Sequence, residues 1–288
     1  MPQTINTNIA SLNAQRNLNS SQSSLMTSMQ RLSSGLRVNS AKDDAAGLAI
    51  AERMNAQVRG MNVAVRNAND GISLAQTAEG ALGKVGDSLQ RMRELALQSR
   101  NATNSTSDKD SLDKEFGELA KEIQRVLGGT TFNGKNILGA DAGSQTFQIG
   151  ANVTSNDTID ITTQNLTGLA AVTTVAGTDP AGAGRATIDS TASTAAIGTV
   201  ITDIDAAINL INAERATLGA SQSRFEAVIS NLQISAENQS AARSRIMDAD
   251  FAAETANLSR AQILQQAGNA MVAQANQLPQ QVLSLLQG

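Results

Sequence analysis

The sequence predicts a mainly α-helical protein of long antiparallel helices in coiled-coil packing, with a small β-hairpin region and a short outer segment. Three observations predict this fold class. Apolar residues recur every three or four positions over long stretches of both halves of the chain. The 288 residues include only three prolines, so helices can run far without interruption. Aromatic residues make up only 2% of the chain, which argues against an ordinary compact core.

The first long helix is predicted from an apolar stripe that begins near Met54. Its start is expected at Asn39-Ser40, with Asp43 and Asp44 in the first turn, where carboxylates favour the positive end of a helix. The stripe follows a heptad-like spacing, so it should form a seam against other helices. The seam of this helix is predicted to include Met61, Val65, Ile72, Leu82 and Leu89.

Two further helices follow from turn residues and apolar spacing. Residues 101–107 are rich in Asn, Ser and Thr and predict a break. The next helix should stop at Gly128-Gly129. The third long helix runs from about Ile201 to Ile246 on one register. Its seam is predicted to include Ile208, Phe225, Ile229 and Leu232.

The middle of the chain loses the helical period. Phe147 and Ile149, then Ile159 and Ile161, alternate with polar residues on either side of an Asn-rich stretch, which predicts a β-hairpin. Residues 166–197 are mostly Ala, Thr, Gly and Ser, and this composition predicts a short variable surface segment, either an exposed loop or a small outer lobe.

The two ends of the chain share an unusual lack of charge. Residues 1–30 contain one charged side chain, Arg16, and residues 261–288 contain none. A solvated helix normally carries charges on its wet face, so we expect both ends to become surrounded by protein and to pair with each other. Apolar residues at helical spacing make these ends the predicted polymerisation surface. They are Ile5, Ile9, Leu12, Leu264, Met271, Leu278, Val282 and Leu285.

The composition argues against most enzymatic chemistry. The chain has no His and no Cys, so the usual proton-transfer residue, the thiolate nucleophile and thiol metal sites are absent. Acidic pairs such as Asp43/Asp44 and Asp248/Asp250 lack calcium-loop spacing. A net charge of −4 gives no nucleic-acid footprint. We therefore predict no catalytic residue, metal or cofactor, and also no membrane span and no cleavable signal peptide.

Several motifs, in order, resemble those of bacterial flagellins. The stretch from Arg31 to Ala51, RLSSGLRVNSAKDDAAGLAIA, resembles the N-terminal signature of that family. LGASQSRFE from Leu218 and SRIMDADFAAE from Ser244 resemble its C-terminal half. TFNG from Thr131 and FQIGAN from Phe147 resemble its turn and hairpin. The resemblance covers roughly residues 1–165 and 200–288 and leaves out the Ala/Thr/Gly-rich centre.

The resemblance implies a structural subunit that polymerises into the flagellar filament for motility. Residues 1–42 and 251–288 would form an inner coiled coil, residues 43–165 and 198–250 the surrounding helical tube with the hairpin, and residues 166–197 the outer surface. Implied partners are other copies of the chain, an export chaperone on the C-terminal region, and the filament cap and hook-junction proteins. The subunit would be secreted to the extracellular flagellum without a cleavable signal peptide.

The resemblance also implies recognition of the monomer by host innate immunity. Arg91, Leu95 and Glu115 match positions of the family segment bound by the host Toll-like receptor for flagellin, and the C-terminal end matches the part read by a cytosolic inflammasome receptor. Residues 89–99 are equally explained as a tube-wall helix with solvated charges.

Three other functions remain open from the sequence. A hook–filament junction protein has ends that resemble flagellin but should not grow long filaments alone. A filament with an enzymatic outer segment is disfavoured because the chain has no His for a metallopeptidase site. A soluble effector directed at host cells would stay monomeric in the presence of filament seeds.

Overall fold

The computed structural model describes residues 7–286, and their side chains as far as residue 277. Within that range the chain is mostly helical, with two small antiparallel hairpins, and the predicted fold class is confirmed. The helices are α1 (Ile9–Ser34), α2 (Ala45–Ser99), α3 (Thr106–Gly129), α4 (Ala170–Ala176), α5 (Thr194–Met247) and α6 (Phe251–Leu286). The strands are β1 (Thr131–Phe132), β2 (Lys135–Asn136), β3 (Ser144–Gln148) and β4 (Thr158–Thr162), with a 3-10 helix at Ser155–Asp157.

The chain divides into two compact units. The first unit comprises residues through Ala56 and from Glu237 onward, and the second comprises Gln57–Ala236. Both limits fall inside long helices, α2 and α5. The division predicted from the sequence, at residues 42/43 and 250/251, differs from these limits and stays a prediction about assembly.

The first unit contains the two terminal helices and a small apolar cluster beside them. Val38, Ala51 and Met247 are buried together in that cluster. The chain that leaves α1 is fastened to the end of α5 by backbone bonds, from Arg37 N to Met247 O at 2.6 Å and from Ala249 N to Gly35 O at 2.9 Å. Gly35 ends α1 at a φ of 72°, a left-handed conformation that glycine adopts without strain.

The expected start of α2 at Asn39-Ser40 is wrong, because the helix begins at Ala45. The carboxylate of Asp43 accepts backbone bonds from Asn39 at 3.1 Å and Ser40 at 2.9 Å, and so closes a turn before the helix. Asp44 then caps the first helical turn by accepting from Gly47 N at 2.8 Å. Side-chain and backbone bonds from Ser40 lower the pKa of Asp43. The polar residues of the RLSSGLRVNSAKDD stretch thus serve a structural junction.

The second unit is built on a core shared by α2, α3, α5 and the segments between them. The predicted break after α2 and the predicted stop at Gly128-Gly129 are both confirmed. Ser105 starts α3 with a capping box, in which its hydroxyl accepts from Asp108 N and the Asp108 carboxylate accepts from Ser105 N.

The predicted hairpin is confirmed as β3 paired with β4. Phe147 lies opposite Ile159 in the ladder, and Ile159 and Ile161 are fully buried. The ring of Phe147 meets that of Phe225 on α5 edge to face, with centroids 5.7 Å apart. Asn67 Nδ2 on α2 donates to Gln148 O at 3.0 Å. The hairpin is therefore held against both long helices of the second unit.

Residues 166–197 contribute more to the core than their composition predicts. The segment contains the short helix α4, and six of its apolar side chains are buried. These are Leu166, Val172, Val175, Ala176, Ile188 and Ile197. The sequence prediction of an exposed loop or lobe rested on small and polar residues. It missed the few apolar residues, which are enough to hold the segment against α3.

Among residues 7–286, α5 is the one helix that is long and apolar enough, by length and composition, to cross a membrane. The prediction that the chain has no membrane span stays a prediction. Core helices of proteins that lie outside membranes have the same property. Ile197, Ile204 and Ile211 of α5 are indeed buried in the core of the second unit.

Candidate functional site

The terminal helices α1 and α6 pack against each other in antiparallel directions. Near one end of the pair, Asn8 Nδ2 donates to Ala275 O and Ser11 Oγ donates to Asn276 Oδ1, both at 2.7 Å. Near the other end, Arg31 lies 3.7 Å from the carboxylate of Glu254. The predicted pairing of the two ends is thus present within one chain.

The seam between α1 and α6 is made mostly of small side chains. Ser11, Ser28, Ala261 and Ala275 are buried there. A Cβ added at Gly268 would lie 3.1 Å from Leu18 Cδ1, so glycine allows the two helices a close approach. The sequence analysis missed this seam, although Glu254, Ala261, Gly268 and Ala275 recur at intervals of seven residues and could have indicated it.

The large apolar residues of the terminal helices lie outside that seam. Of the thirteen large apolar side chains exposed among the described residues, nine belong to the first unit. Four predicted polymerisation residues are exposed, namely Ile9, Leu12, Leu264 and Met271. Ile5 lies outside the described residues, as do the side chains of Leu278, Val282 and Leu285.

This exposed face combines two properties that rarely occur together on a solvated surface. It presents large apolar side chains, and its two helices carry few charged residues, namely Arg16, Arg31, Glu254 and Arg260. Exposed apolar side chains in this number indicate a contact with other protein. The chemistry it supports is burial of apolar area, with no catalytic group.

The predicted seam of the second unit is divided between buried and half-buried positions. Met61, Leu82, Leu89 and Phe225 are buried. Five others are partly exposed: Val65, Ile72, Ile208, Ile229 and Leu232. Three of those five, Ile72, Ile208 and Ile229, pack against the core of the second unit.

Two of the three receptor-recognition candidates lie together on the surface. Arg91 Nε donates to Glu115 Oε1 at 2.9 Å, and Arg91 Nη1 donates to Glu94 at the same distance. The hydrogen bonds from Arg91 to Glu115 and Glu94 raise the pKa of Arg91. Leu95 is completely buried, so in this conformation its side chain does not form part of that surface.

The acidic pairs are used within the fold. Asp157 caps the 3-10 helix by accepting from Thr154 N at 3.0 Å, Asp205 accepts from Arg93 Nε at 2.6 Å, and Asp250 accepts from Ala252 N at 2.9 Å. Among residues 7–286 no three His, Cys, Asp or Glu residues form a group that could hold a metal ion.

A buried ion pair fastens the central segment to α3. Arg185 Nη1 and Nη2 donate to the two carboxylate oxygens of Asp113 at 2.9 and 2.5 Å, and Ile188 N donates to Asp113 at 2.9 Å. Burial raises the pKa of Asp113, but these bonds outweigh it and leave the pKa below its usual value. The sequence analysis missed this contact because 72 residues separate the partners.

A chain whose paired, nearly uncharged ends expose apolar side chains is an assembly subunit. Comparisons with known proteins agree. The bacterial flagellin N-terminal helical region matches residues 5–146, and the C-terminal helical region matches residues 201–286. The flagellin of Halalkalibacterium halodurans is 45% identical, over 98% of this chain and 99% of that one. The flagellin of Xenorhabdus nematophila is 44% identical, over 99% of this chain and 100% of that one. The flagellin of Bacillus subtilis is 43% identical, over 98% of this chain and 99% of that one.

The chain belongs to the bacterial flagellin family. It is a structural protein and not an enzyme, a subunit that self-assembles into the extracellular filament of the bacterial flagellum. The resemblance noted in the sequence is confirmed. The matched regions leave out residues 147–200, which include the central segment and also most of the hairpin.

Proposed function

We propose that filaments of this chain drive motility and that the terminal coil supplies their assembly contacts. The observation that carries the proposal is the apolar outer face of α1 and α6, which carries few charged side chains. Complete burial of a Leu, Ile or Met side chain stabilises an assembly by roughly 1.5–3 kcal/mol. Ile9, Leu12, Leu264 and Met271 are at least half exposed in the single chain, so neighbours have most of that area left to bury.

Seeded polymerisation tests the assembly contacts. Purified monomer is added to short filament seeds and observed by electron microscopy, beside a truncation that lacks residues 1–42 and 251–288. The full chain should grow long filaments and the truncation should not. A full chain that stays monomeric with seeds present would favour the hook–filament junction protein or the soluble effector. Swimming of a flagellin-deletion strain that expresses this chain tests motility.

Export and capping partners follow from the same architecture. We propose that an export chaperone covers the C-terminal region before assembly. We also propose that the cap protein and the hook-junction proteins lie at the two ends of the filament. The exposed apolar side chains of α6 support the first part, because a free monomer needs them covered. The full chain should bind the chaperone in a pull-down, and deletion of residues 251–288 should abolish that binding.

Host recognition of the monomer is the finer part of the proposal. The Arg91–Glu115 pair presents a charged surface on α2 and α3, whereas Leu95 is buried. Arg91→Ala should reduce Toll-like receptor signalling in a reporter cell line. Arg125→Ala is the matched control, because Arg125 is also an exposed arginine bonded to a glutamate, Glu122, on α3. Equal signalling by both variants would show that Arg91 does not belong to the recognition surface. Loss of inflammasome activation on deletion of residues 278–288 tests the C-terminal end.

A further inference from the structure

The two flanks of α6 beside its seam differ in chemistry. The seam repeats at intervals of seven residues through Ala261, Gly268 and Ala275. Three residues after the first two of these lie Leu264 and Met271, which are 50% and 59% exposed. One residue after each seam position, on the other flank, lie exposed polar side chains. These are Gln262, Asn269 and Asn276. One flank of the helix therefore carries exposed apolar side chains and the other carries exposed polar ones.

A groove runs along the apolar flank, between α6 and α1. It has a volume of about 440 Å³ and is walled on the α1 side by hydroxyl residues such as Ser20, Ser24 and Thr27, and on the α6 side by Asn257, Arg260 and Leu264. Ser24 Oγ donates to Ser20 O and Thr27 Oγ1 donates to Ser23 O, both at 3.0 Å. Since these hydroxyl groups bond within α1, covering this wall leaves their donors paired.

The opposite flank of α1 carries large apolar side chains. Leu12 and Met26 occupy the same heptad position, fourteen residues apart, and Met29 lies beside them on the helical wheel. All three are exposed, and Met26 is 70% exposed. We call this set, Leu12, Met26 and Met29, the methionine flank. The set on the other side, Ser20, Ser24, Thr27, Leu264 and Met271, is the groove flank.

We propose that the methionine flank of one copy packs into the groove flank of a second copy of this chain. Long apolar side chains on one surface would meet a wall of small residues and an apolar stripe on the other, as knobs meet holes between packed helices. The two surfaces are different and lie on opposite flanks of one coil, so each bound copy leaves a surface free for the next. Such a heterologous contact generates an open filament. The inference rests on the proposed assembly through the terminal coil.

The test uses wild-type seeds with the full-length variants Met26→Gln and Leu264→Gln. Each variant alters one flank and keeps the other. Ile234→Gln is the matched control, because Ile234 is also an exposed isoleucine but lies on α5 in the second unit, outside the terminal helices. We expect each flank variant to lower the elongation rate or raise the critical concentration about tenfold or more. The control should stay within about twofold of wild type.

Behaviour at the seed ends provides the sharper result. A growing end exposes one flank, so one flank variant should bind it and block later growth by the wild type, while the other should neither bind nor block. The contact would be overturned, with terminal-coil assembly left intact, if both variants elongated at the wild-type rate or behaved identically at seed ends. An equal loss in Ile234→Gln would overturn it as well. Failure of the wild-type chain to elongate would instead overturn the proposed assembly, and the contact with it.

Discussion

Gly71 on α2 supports a buried aromatic ring, and alanine at this position should destabilise the protein. A Cβ added at Gly71 would lie 2.8 Å from Cζ of Phe225 and 3.1 and 3.2 Å from the two Cε atoms. Phe225 is completely buried, and its ring meets Phe147 edge to face at 5.7 Å. The ring therefore has no open side toward which it could move, and the packing of the hairpin would be disturbed with it.

The expected magnitude is a balance of two effects. Replacement of glycine by alanine inside a helix stabilises by about 1 kcal/mol, whereas overpacking of a core costs about 1–3 kcal/mol. Gly80 on the same helix has nothing within 4 Å of the position of an added Cβ, so Gly80→Ala shows the helix effect alone. We expect Gly80→Ala to be more stable than the wild type and Gly71→Ala to be about 2 kcal/mol less stable than Gly80→Ala.

Urea unfolding of the full-length monomer, monitored by far-UV circular dichroism, measures this difference. It should appear as a change in the urea concentration at the midpoint of unfolding, with the m value unchanged. Phe225→Leu removes the ring atoms that the added methyl group meets, so Gly71→Ala should cost much less in that background. Equal stability of Gly71→Ala and Gly80→Ala in the wild-type background would refute the argument from packing.

Three further predictions follow from other contacts. Asp113→Asn should lower the free energy of unfolding by about 2–3 kcal/mol, because it leaves the largely buried Arg185 without its carboxylate. Limited proteolysis should then cut residues 166–197 faster. Glu118 is an exposed carboxylate on α3, and Glu118→Gln should change neither measurement. Because the pKa of Asp113 lies below its usual value in the folded protein, its stabilising effect should be complete above about pH 4 and disappear as the pH falls through the lowered pKa. In acid titrations of stability, the wild type should therefore lose more stability below that pH than Asp113→Asn does, and parallel curves would contradict this. Gly268→Leu should force α1 and α6 apart, because the added side chain meets Leu18. Hydrogen exchange should then be faster at the backbone amides of α1. Ala270 is at an exposed position of α6, and Ala270→Leu should leave the exchange unchanged.

Local patterns in the sequence were sufficient to predict most elements of this protein. Apolar spacing and the near absence of proline predicted the long helices. The Asn, Ser and Thr residues predicted the break before α3, and the paired glycines predicted its stop at Gly129. The alternation of apolar and polar residues around Phe147 and Ile159 predicted the hairpin. The shared lack of charge at both ends predicted that they pair with each other, as α1 and α6 do, while their burial by other protein stays a prediction. These signals are local because each depends on residues within a few turns of helix or one hairpin.

Only the folded chain decided which surfaces meet. Apolar spacing indicates that a helix has a face to bury but not what covers it. The small residues of α6 recur every seven positions, yet the sequence could not show that α1 covers them while Leu12 and Leu264 remain outside the seam. Nor could it show the pairing of Asp113 with Arg185 or the burial of Leu95. Those outcomes depend on which distant segments come together, because the free energy of a contact depends on both partners and the sequence pattern shows each partner alone.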